Sequence, residues 1–299
     1  MTTLSTTTTD AVAHIKEQFD FTVDKFPLHG PDNMPTPHYG LFRADNFDCV
    51  GRACSARYVP HTTDDVVAIA EAASNAFKGD IAATCHFNGG HFVSLRPTDQ
   101  TRQELFNVTN GDNLFPRFMV RGGFDGRGFK AQIGCYRDMC SNLIMMNTIK
   151  AFSRSIRHTS GLRNQMDELI ATFSLLQRSW TTLTELIARM DQKTLDMRDF
   201  LAEIYGEPDD NATTRAITTH KNRTKLIMDR LWREINSTQR SWAPTRTSAW
   251  MAYNAVQGYE QHDAVRRNMD NVESQRFERV LRAANSDHVR AAEKLALAA

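Results

Sequence analysis

An unbroken apolar repeat constrains the fold of this chain more than any other feature. Apolar side chains recur with a strict 4-3-4-3 spacing, the a and d pattern of four heptads, and predict an amphipathic helix. Such a helix is about 43 Å long at about 1.5 Å per residue. Its stripe needs a partner, either another helix of the chain or a second subunit. The stripe consists of Leu162, Met166, Leu169, Phe173, Leu176, Trp180, Leu183, Ile187 and Met190.

Two β-hairpins are predicted ahead of this helix. In the first, Ile81–Phe87 and His91–Arg96 flank Asn88-Gly89-Gly90, a sequence typical of a tight turn between antiparallel strands. Side-chain alternation predicts two faces for this hairpin. One face carries Cys85, Phe87 and Phe92, and the other carries Thr84, His86, His91 and Val93.

The second hairpin is rich in glycine. Phe115–Arg121 leads into the turn GGFDGRG, and Phe129–Tyr136 returns with alternating apolar and polar residues. That alternation predicts a half-buried strand with one polar face. The glycines permit positive φ and let a ligand approach the backbone closely. We interpret Phe118 and Phe129 as core residues, whereas Phe124 lies at the predicted turn tip.

The other patterns complete an α+β fold. Thr62 or Thr63 caps a predicted helix that ends at Gly79, and Ser248 caps another over Ala249–His262. We predict a mainly antiparallel, hairpin-rich sheet with one or two helices, followed by a C-terminal helical bundle. The predicted parts are a flexible N-terminal tail and arm (1–37), an α+β basic sheet domain (38–159) and a helical bundle region (160–299).

Composition and cysteine usage predict a cytoplasmic protein. The chain has 299 residues and no run of eighteen apolar residues, so no transmembrane helix is expected. Met1–Asp10 is a Thr/Ser tract without the basic region and apolar core of a secretory signal. Five cysteines, an odd number, favour reduced thiols in a cytosol.

Positive charge is concentrated in one segment. Residues 114–164 contain nine Lys or Arg and two Asp, a net charge of +7, whereas the whole chain has a net charge of only +1. A neutral chain that gathers its cations in this way is expected to bind an anion there, and nucleic acid is the commonest anionic polymer. The alternative is a solvated sheet face with exposed arginines.

We predict that the glycine-rich hairpin and its neighbours bind the phosphate backbone. Arg and Lys neutralise phosphates, glycine N–H groups approach phosphate oxygens, and Phe124 at a turn tip can stack on an unpaired base. No catalytic residue and no cofactor is predicted. The predicted nucleic-acid-binding residues are Arg117, Arg121, Gly122, Gly123, Phe124, Arg127, Lys130, Arg137, Arg154 and Arg157.

Three sequence marks resemble a phage/plasmid-like protein family, the domain of unknown function number 932. They are the turn Phe124-Asp125-Gly126, the run from Arg137 through Cys140 to Asn142, and a late helix. That helix carries Thr247, Trp250, Asn254 and Ala255, with Tyr259 and His262 beyond. The resemblance implies a phage, plasmid or prophage setting in a bacterial host cell and supplies no reaction. By analogy with phage annealing proteins, it suggests DNA recombination by single-strand annealing.

The function predicted from these features is sequence-tolerant binding or annealing of single-stranded DNA by a homo-oligomer. No association with a membrane is predicted. One alternative is a structural protein that assembles through its helical half, and another is a nucleic-acid-processing enzyme. Catalysis by Cys140 with His158 would need the two side chains together, which the sequence does not establish. A metal site drawn from Cys85, His86 and His91 does not match common zinc spacings, and no metal is predicted.

Overall fold

Two hydrophobic cores organise the chain. The structure, a computed structural model, describes residues 7–87, 89–101, 114–124, 128–137, 143–144, 153–173, 176–237, 246–264 and 286–299. Two compact units are present, which we call the sheet unit and the helical unit. The sheet unit comprises Met1–Asn107, Phe115–Gly134 and Lys150–Ser179, and the helical unit comprises Val108–Leu114, Cys135–Ile149 and Trp180–Ala299.

Helices occur together with antiparallel sheets, which confirms the predicted α+β class. The first helices are α1 (Thr8–Gln18), α2 (Thr63–Phe77) and α3 (Leu162–Thr172). The first strands are β1 (Val23–His29), β2 (Pro35–Arg43) and β3 (Cys54–Ser55). The later strands are β4 (Ile81–Phe87), β5 (Gly90–Pro97), β6 (Leu114–Gly123), β7 (Phe129–Arg137), β8 (Leu143–Ile144) and β9 (Ser153–Ile156).

The strands form two antiparallel sheets. The smaller sheet has the order β1-β2-β3, and the larger one has the order β4-β5-β6-β7-β8, with β9 also paired to β7. Both predicted hairpins are present, as β4–β5 and β6–β7. Helix α2 begins where the sequence predicts, because the Thr62 side chain accepts from the Asp65 N–H while the Asp65 carboxylate accepts from the Thr62 N–H.

The predicted faces of the first hairpin are wrong. The register pairs Cys85 with Val93 and Phe87 with His91. Directly paired residues of antiparallel strands project to the same side, so His91 shares a face with Cys85, Phe87 and Val93. Val93 and Leu95 of β5 are buried in the core of the sheet unit, so His91 projects to the core side with them and Phe92 projects to the opposite side.

The N-terminal segment is folded from residue 7 onward, which corrects the predicted flexible tail and arm over 1–37. Helix α1 starts with a capping box between Thr7 and Asp10. Ala11, Ile15 and Phe19 recur at a four-residue spacing and are buried, so this short stripe completes the core of the sheet unit. Pro27 is compatible with β1 because β1 is an edge strand, and Pro35 and Pro37 lie at the start of β2, before the residues that pair with β3.

The helical unit contains most of the remaining elements. Its helices are α4 (Leu176–Gln192), α5 (Met197–Tyr205), α6 (Thr214–Ser237), α7 (Ala249–Gly258) and α8 (Asp287–Ala298). Two short strands, β10 (Thr194–Asp196) and β11 (Arg246–Ser248), pair as an antiparallel ribbon. The helix predicted from Ala249 corresponds to α7, and Ser248 caps α7 as predicted.

The heptad stripe does not form one bundle helix. Helix α3 ends at Thr172 and α4 begins at Leu176. Leu162, Met166, Leu169 and Phe173 pack into the core of the sheet unit, where the Phe173 ring stacks on Phe118 with a centroid distance of 4.3 Å. Leu183, Ile187 and Met190 instead belong to the core of the helical unit. The uniformly spaced apolar stripe therefore contributes to two different cores. The boundary predicted at residue 160, between the sheet domain and the helical bundle, is wrong.

Within the described ranges, no helix is both long enough and apolar enough to cross a bilayer.

Candidate nucleic-acid interface

The larger sheet has one face that packs against helices. Val93, Leu95, Phe118, Val120 and Phe129 project from this face and are buried against residues of α1, α2 and α3. Because side chains alternate along a strand, the residues between them project from the opposite face. That second face holds the candidate site.

Four cations occupy the second face, which we call the cationic face: Arg96, Arg117, Arg121 and Lys130. They come from the neighbouring strands β5, β6 and β7, and each lies one position from a residue of the core face. The register pairs Phe92 with Arg121 and Ser94 with Met119, which places the β5 and β6 residues on the same side. None of the strands β4 to β9 contains Asp or Glu.

Local contacts hold the arginines of this face. The Arg117 Nε donates a hydrogen bond to the Ser94 hydroxyl oxygen. The Arg121 guanidinium lies 5.4 Å from the centroid of the Phe92 ring, in cation–π range. Arg121 is only 8% exposed, whereas Arg96, Arg117 and Lys130 are half-buried.

The cationic face concentrates like charges in a poorly solvated place. Burial lowers the pKa of Lys130, and the positive charge of Arg121 lowers it further. Both effects disfavour the charged ammonium group. An anion beside Lys130 would favour the charged ammonium group again.

The predicted turn residues are not accessible, which corrects their assignment to the phosphate-binding surface. A Cβ on Gly122 would lie 2.1 Å from Nε2 of His61, and Gly123 pairs closely with Gly90. Phe124 is fully buried and stacks on His61 with a centroid distance of 4.6 Å. Strand β6 extends through Gly123, so these glycines accommodate neighbouring atoms of the protein instead of a ligand.

Of the other predicted contact residues, only Arg157 has a described side chain. Arg157 is exposed just beyond β9. Arg127 lies outside the described residues. Arg137 and Arg154 belong to β7 and β9, but the described part of the chain does not include their side chains. The Cys140 and Asn142 positions of the family motif also lie outside it.

Sequence reasoning missed Arg96 and a cluster of buried histidines. Arg96 lies outside the 114–164 window, and only the strand register brings it beside Arg117.

In the histidine cluster, His61 Nε2 lies 2.9 Å from His91 Nδ1, and the His61 and His158 rings are 5.2 Å apart. The Tyr58 ring stacks on His158. An approach of histidines from three separate segments has no local sequence pattern that could predict it.

Within the histidine cluster, His61 and His91 are neutral parts of the core. Burial lowers the pKa of His61 well below its usual value, and the nearby His91 and His158 lower it further. Burial also lowers the pKa of His91 to about 3.

In the part of the chain that the structure describes, no three His, Cys, Asp or Glu side chains could hold a metal ion. Cys85 lies nearby, and burial raises the pKa of its thiol to about 12, so it is not a reactive thiolate.

The late-helix residues noted in the sequence are structural in the helical unit. Trp250 and Tyr253 are buried, with their rings 6.0 Å apart. The Asn254 side-chain amide donates to the Trp250 carbonyl oxygen at 2.7 Å. These residues form the centre of a core and not a binding surface.

The fold is thus that of an α+β protein whose antiparallel sheet carries helices on one face and cations on the other. Residues 52–283 match the family described as a domain of unknown function, DUF932, and the chain belongs to this family. No curated protein and no solved structure matches the chain.

Proposed function

We propose that the protein binds single-stranded nucleic acid through the cationic face of its larger sheet. The observation that carries the proposal is the placement of Arg96, Arg117, Arg121 and Lys130 on one face of strands that contain no carboxylate. Side chains of this kind neutralise phosphates in any sequence context, so the binding is sequence-tolerant.

A single strand suits this surface better than a duplex. Its backbone is flexible and can follow a row of cations along a sheet while its bases stay available for pairing. That availability is what annealing requires, and annealing needs no catalytic residue. We extend the proposal to assembly as a homo-oligomer, in which cationic faces of neighbouring copies would continue the same strand.

The salt dependence of binding tests the proposal. If the partly exposed Arg96, Arg117 and Lys130 contact about three phosphates of a single strand, log K should fall with log salt at a slope of about −2. In the variant with Arg96→Ala, Arg117→Ala and Lys130→Ala, we expect that slope to become shallower by about 2, because about three contacts are lost. Fluorescence anisotropy of a labelled oligonucleotide at several salt concentrations measures both slopes.

Lys16→Ala provides the matched control. Lys16 is an exposed cation of the same unit on α1, and its loss should leave the slope unchanged. Equal slopes for the wild type and the triple variant would reject the cationic face as the binding site. Equal affinity for an oligonucleotide and for an uncharged analogue would reject phosphate recognition altogether.

A further inference from the structure

A second cluster of cations lies in the helical unit, far along the chain from the sheet strands. The loop after α5 and the first turns of α6 line an open cavity of about 450 Å³ at the surface. Small-molecule sites usually have volumes of about 300–1,000 Å³. The polar side chains around the cavity are Tyr205, Glu207, Thr213, Arg215, Thr219, His220 and Arg223.

The spacing on α6 directs three of these residues to the cavity. Arg215, Thr219 and Arg223 are separated by four residues, so they lie along one side of the helix. The first turn of α6 contains Arg215 and no acid. A cation at the amino end of a helix opposes the helix dipole, and a bound anion would relieve this repulsion.

Arg223 is held in place before any ligand arrives. Its guanidinium carbon lies 4.6 Å from the centroid of the Tyr205 ring. The Tyr205 hydroxyl donates to Glu260 at 3.0 Å, and His288 Nδ1 lies 2.9 Å from the same carboxylate oxygen. A guanidinium that stacks on a ring keeps its N–H donors for a ligand with planar or tetrahedral oxygens.

Neither arginine is neutralised by a carboxylate within the described ranges. No ion pair joins Arg215 or Arg223 to an acid there, and Glu260 is engaged by Tyr205 and His288. Glu207 is the single carboxylate among the residues that line the cavity. The cavity therefore has an excess of positive charge with hydroxyl groups beside it.

We infer that this cavity binds the phosphate monoester of a small molecule. Two guanidinium groups can each donate paired hydrogen bonds to phosphate oxygens, and the Thr213 and Thr219 hydroxyls can donate further ones. The cavity is larger than a bare phosphate needs, so it has room for an organic part of mononucleotide size. This inference concerns a different unit from the cationic face and does not depend on polymer binding.

Isothermal titration calorimetry with AMP, inorganic phosphate and adenosine tests the inference. We expect AMP to bind more tightly than phosphate, because it also fills the organic part of the cavity, and adenosine to bind weakly or not at all. Arg215→Ala should weaken AMP binding by about tenfold, as should Arg223→Ala, because each removes a charge-assisted pair of hydrogen bonds. Arg215 is exposed, so its replacement does not threaten the fold.

Two control variants check that the effect is specific to this cavity. Lys225→Ala removes an exposed cation of α6 that does not line the cavity, and it should leave AMP affinity unchanged. Lys130→Ala, which weakens the cationic face, should also leave it unchanged, so failure of one proposal does not imply failure of the other. Equal binding of AMP and adenosine would overturn the inference, as would an equal loss of affinity in Arg215→Ala and Lys225→Ala.

Discussion

At the scale of single residues, glycine at position 122 is required by its neighbour and not by a ligand. The His61 ring occupies the space where a Cβ would lie, and that ring is buried against His91 and Phe124. The ring has nowhere to move, since its surroundings are close-packed. A side chain at this position must therefore displace part of the core.

We expect Gly122→Ala to destabilise the protein by about 1–3 kcal/mol through overpacking. Gly30→Ala is the matched control, because a Cβ there would meet only ordinary contacts at 3.7 and 3.8 Å. Urea unfolding followed by circular dichroism measures both changes. Equal stability of Gly122→Ala and the wild type would show that the His61 ring does not occupy this position.

At the scale of elements, helices α3 and α4 share one apolar repeat but support different cores. Phe173, just beyond α3, stacks on Phe118 of β6, whereas Met190 of α4 is buried among residues of the helical unit. The two residues belong to the same stripe and are both buried. Replacing Phe173 should therefore destabilise the sheet unit, and replacing Met190 should destabilise the helical unit.

We expect Phe173→Ala to lower hydrogen-exchange protection in β6, and Met190→Ala to lower it in α6 and α7. Large-to-small changes at such sites cost about 2–5 kcal/mol, enough to be resolved by exchange of individual peptides. Each variant serves as the control for the other. If both variants loosen both units to the same extent, the division of the stripe between two cores is incorrect.

These elements also show what the sequence can predict. The start of α2 was predictable because the capping hydrogen bonds between Thr62 and Asp65 lie within four consecutive residues. The start of α7 was predictable for the same reason, since Ser248 caps a helix that begins at the next residue. The faces of the β4–β5 hairpin and the position of Arg96 were not, because they depend on how strands pair and not on a local pattern. The charge window covers strands β6 to β9, but it could not show that Phe124 turns into the core beside His61.

At the scale of the whole molecule, the buried histidines link stability to pH. His61 and His91 are neutral when the protein is folded, and burial lowers the pKa of both. The unfolded chain binds protons to them below about pH 6.5, where free histidine titrates. Their favourable contribution is therefore present above that pH and is lost as the pH falls toward the folded pKa, which for His91 is about 3.

We expect the free energy of unfolding to fall by about 1.4 kcal/mol per pH unit for each of these histidines below about pH 6. His91→Phe should retain the aromatic packing with Phe19 and Phe124 while removing one titrating group. Between pH 7 and pH 5 this variant should lose about 2 kcal/mol less stability than the wild type. Urea titrations at each pH provide the comparison, and parallel pH profiles would contradict a neutral His91 in the core.

The anchoring of α1 has a practical consequence for anyone who expresses part of this chain. The Thr8 hydroxyl donates to the Asp80 carboxylate and lies 2.9 Å from the Ser74 hydroxyl, so the helix is fastened to the start of β4. The family match begins only at residue 52. A fragment cut at that point would lack Ala11, Ile15 and Phe19, and the apolar surfaces of α2 and β4 that they cover would face water.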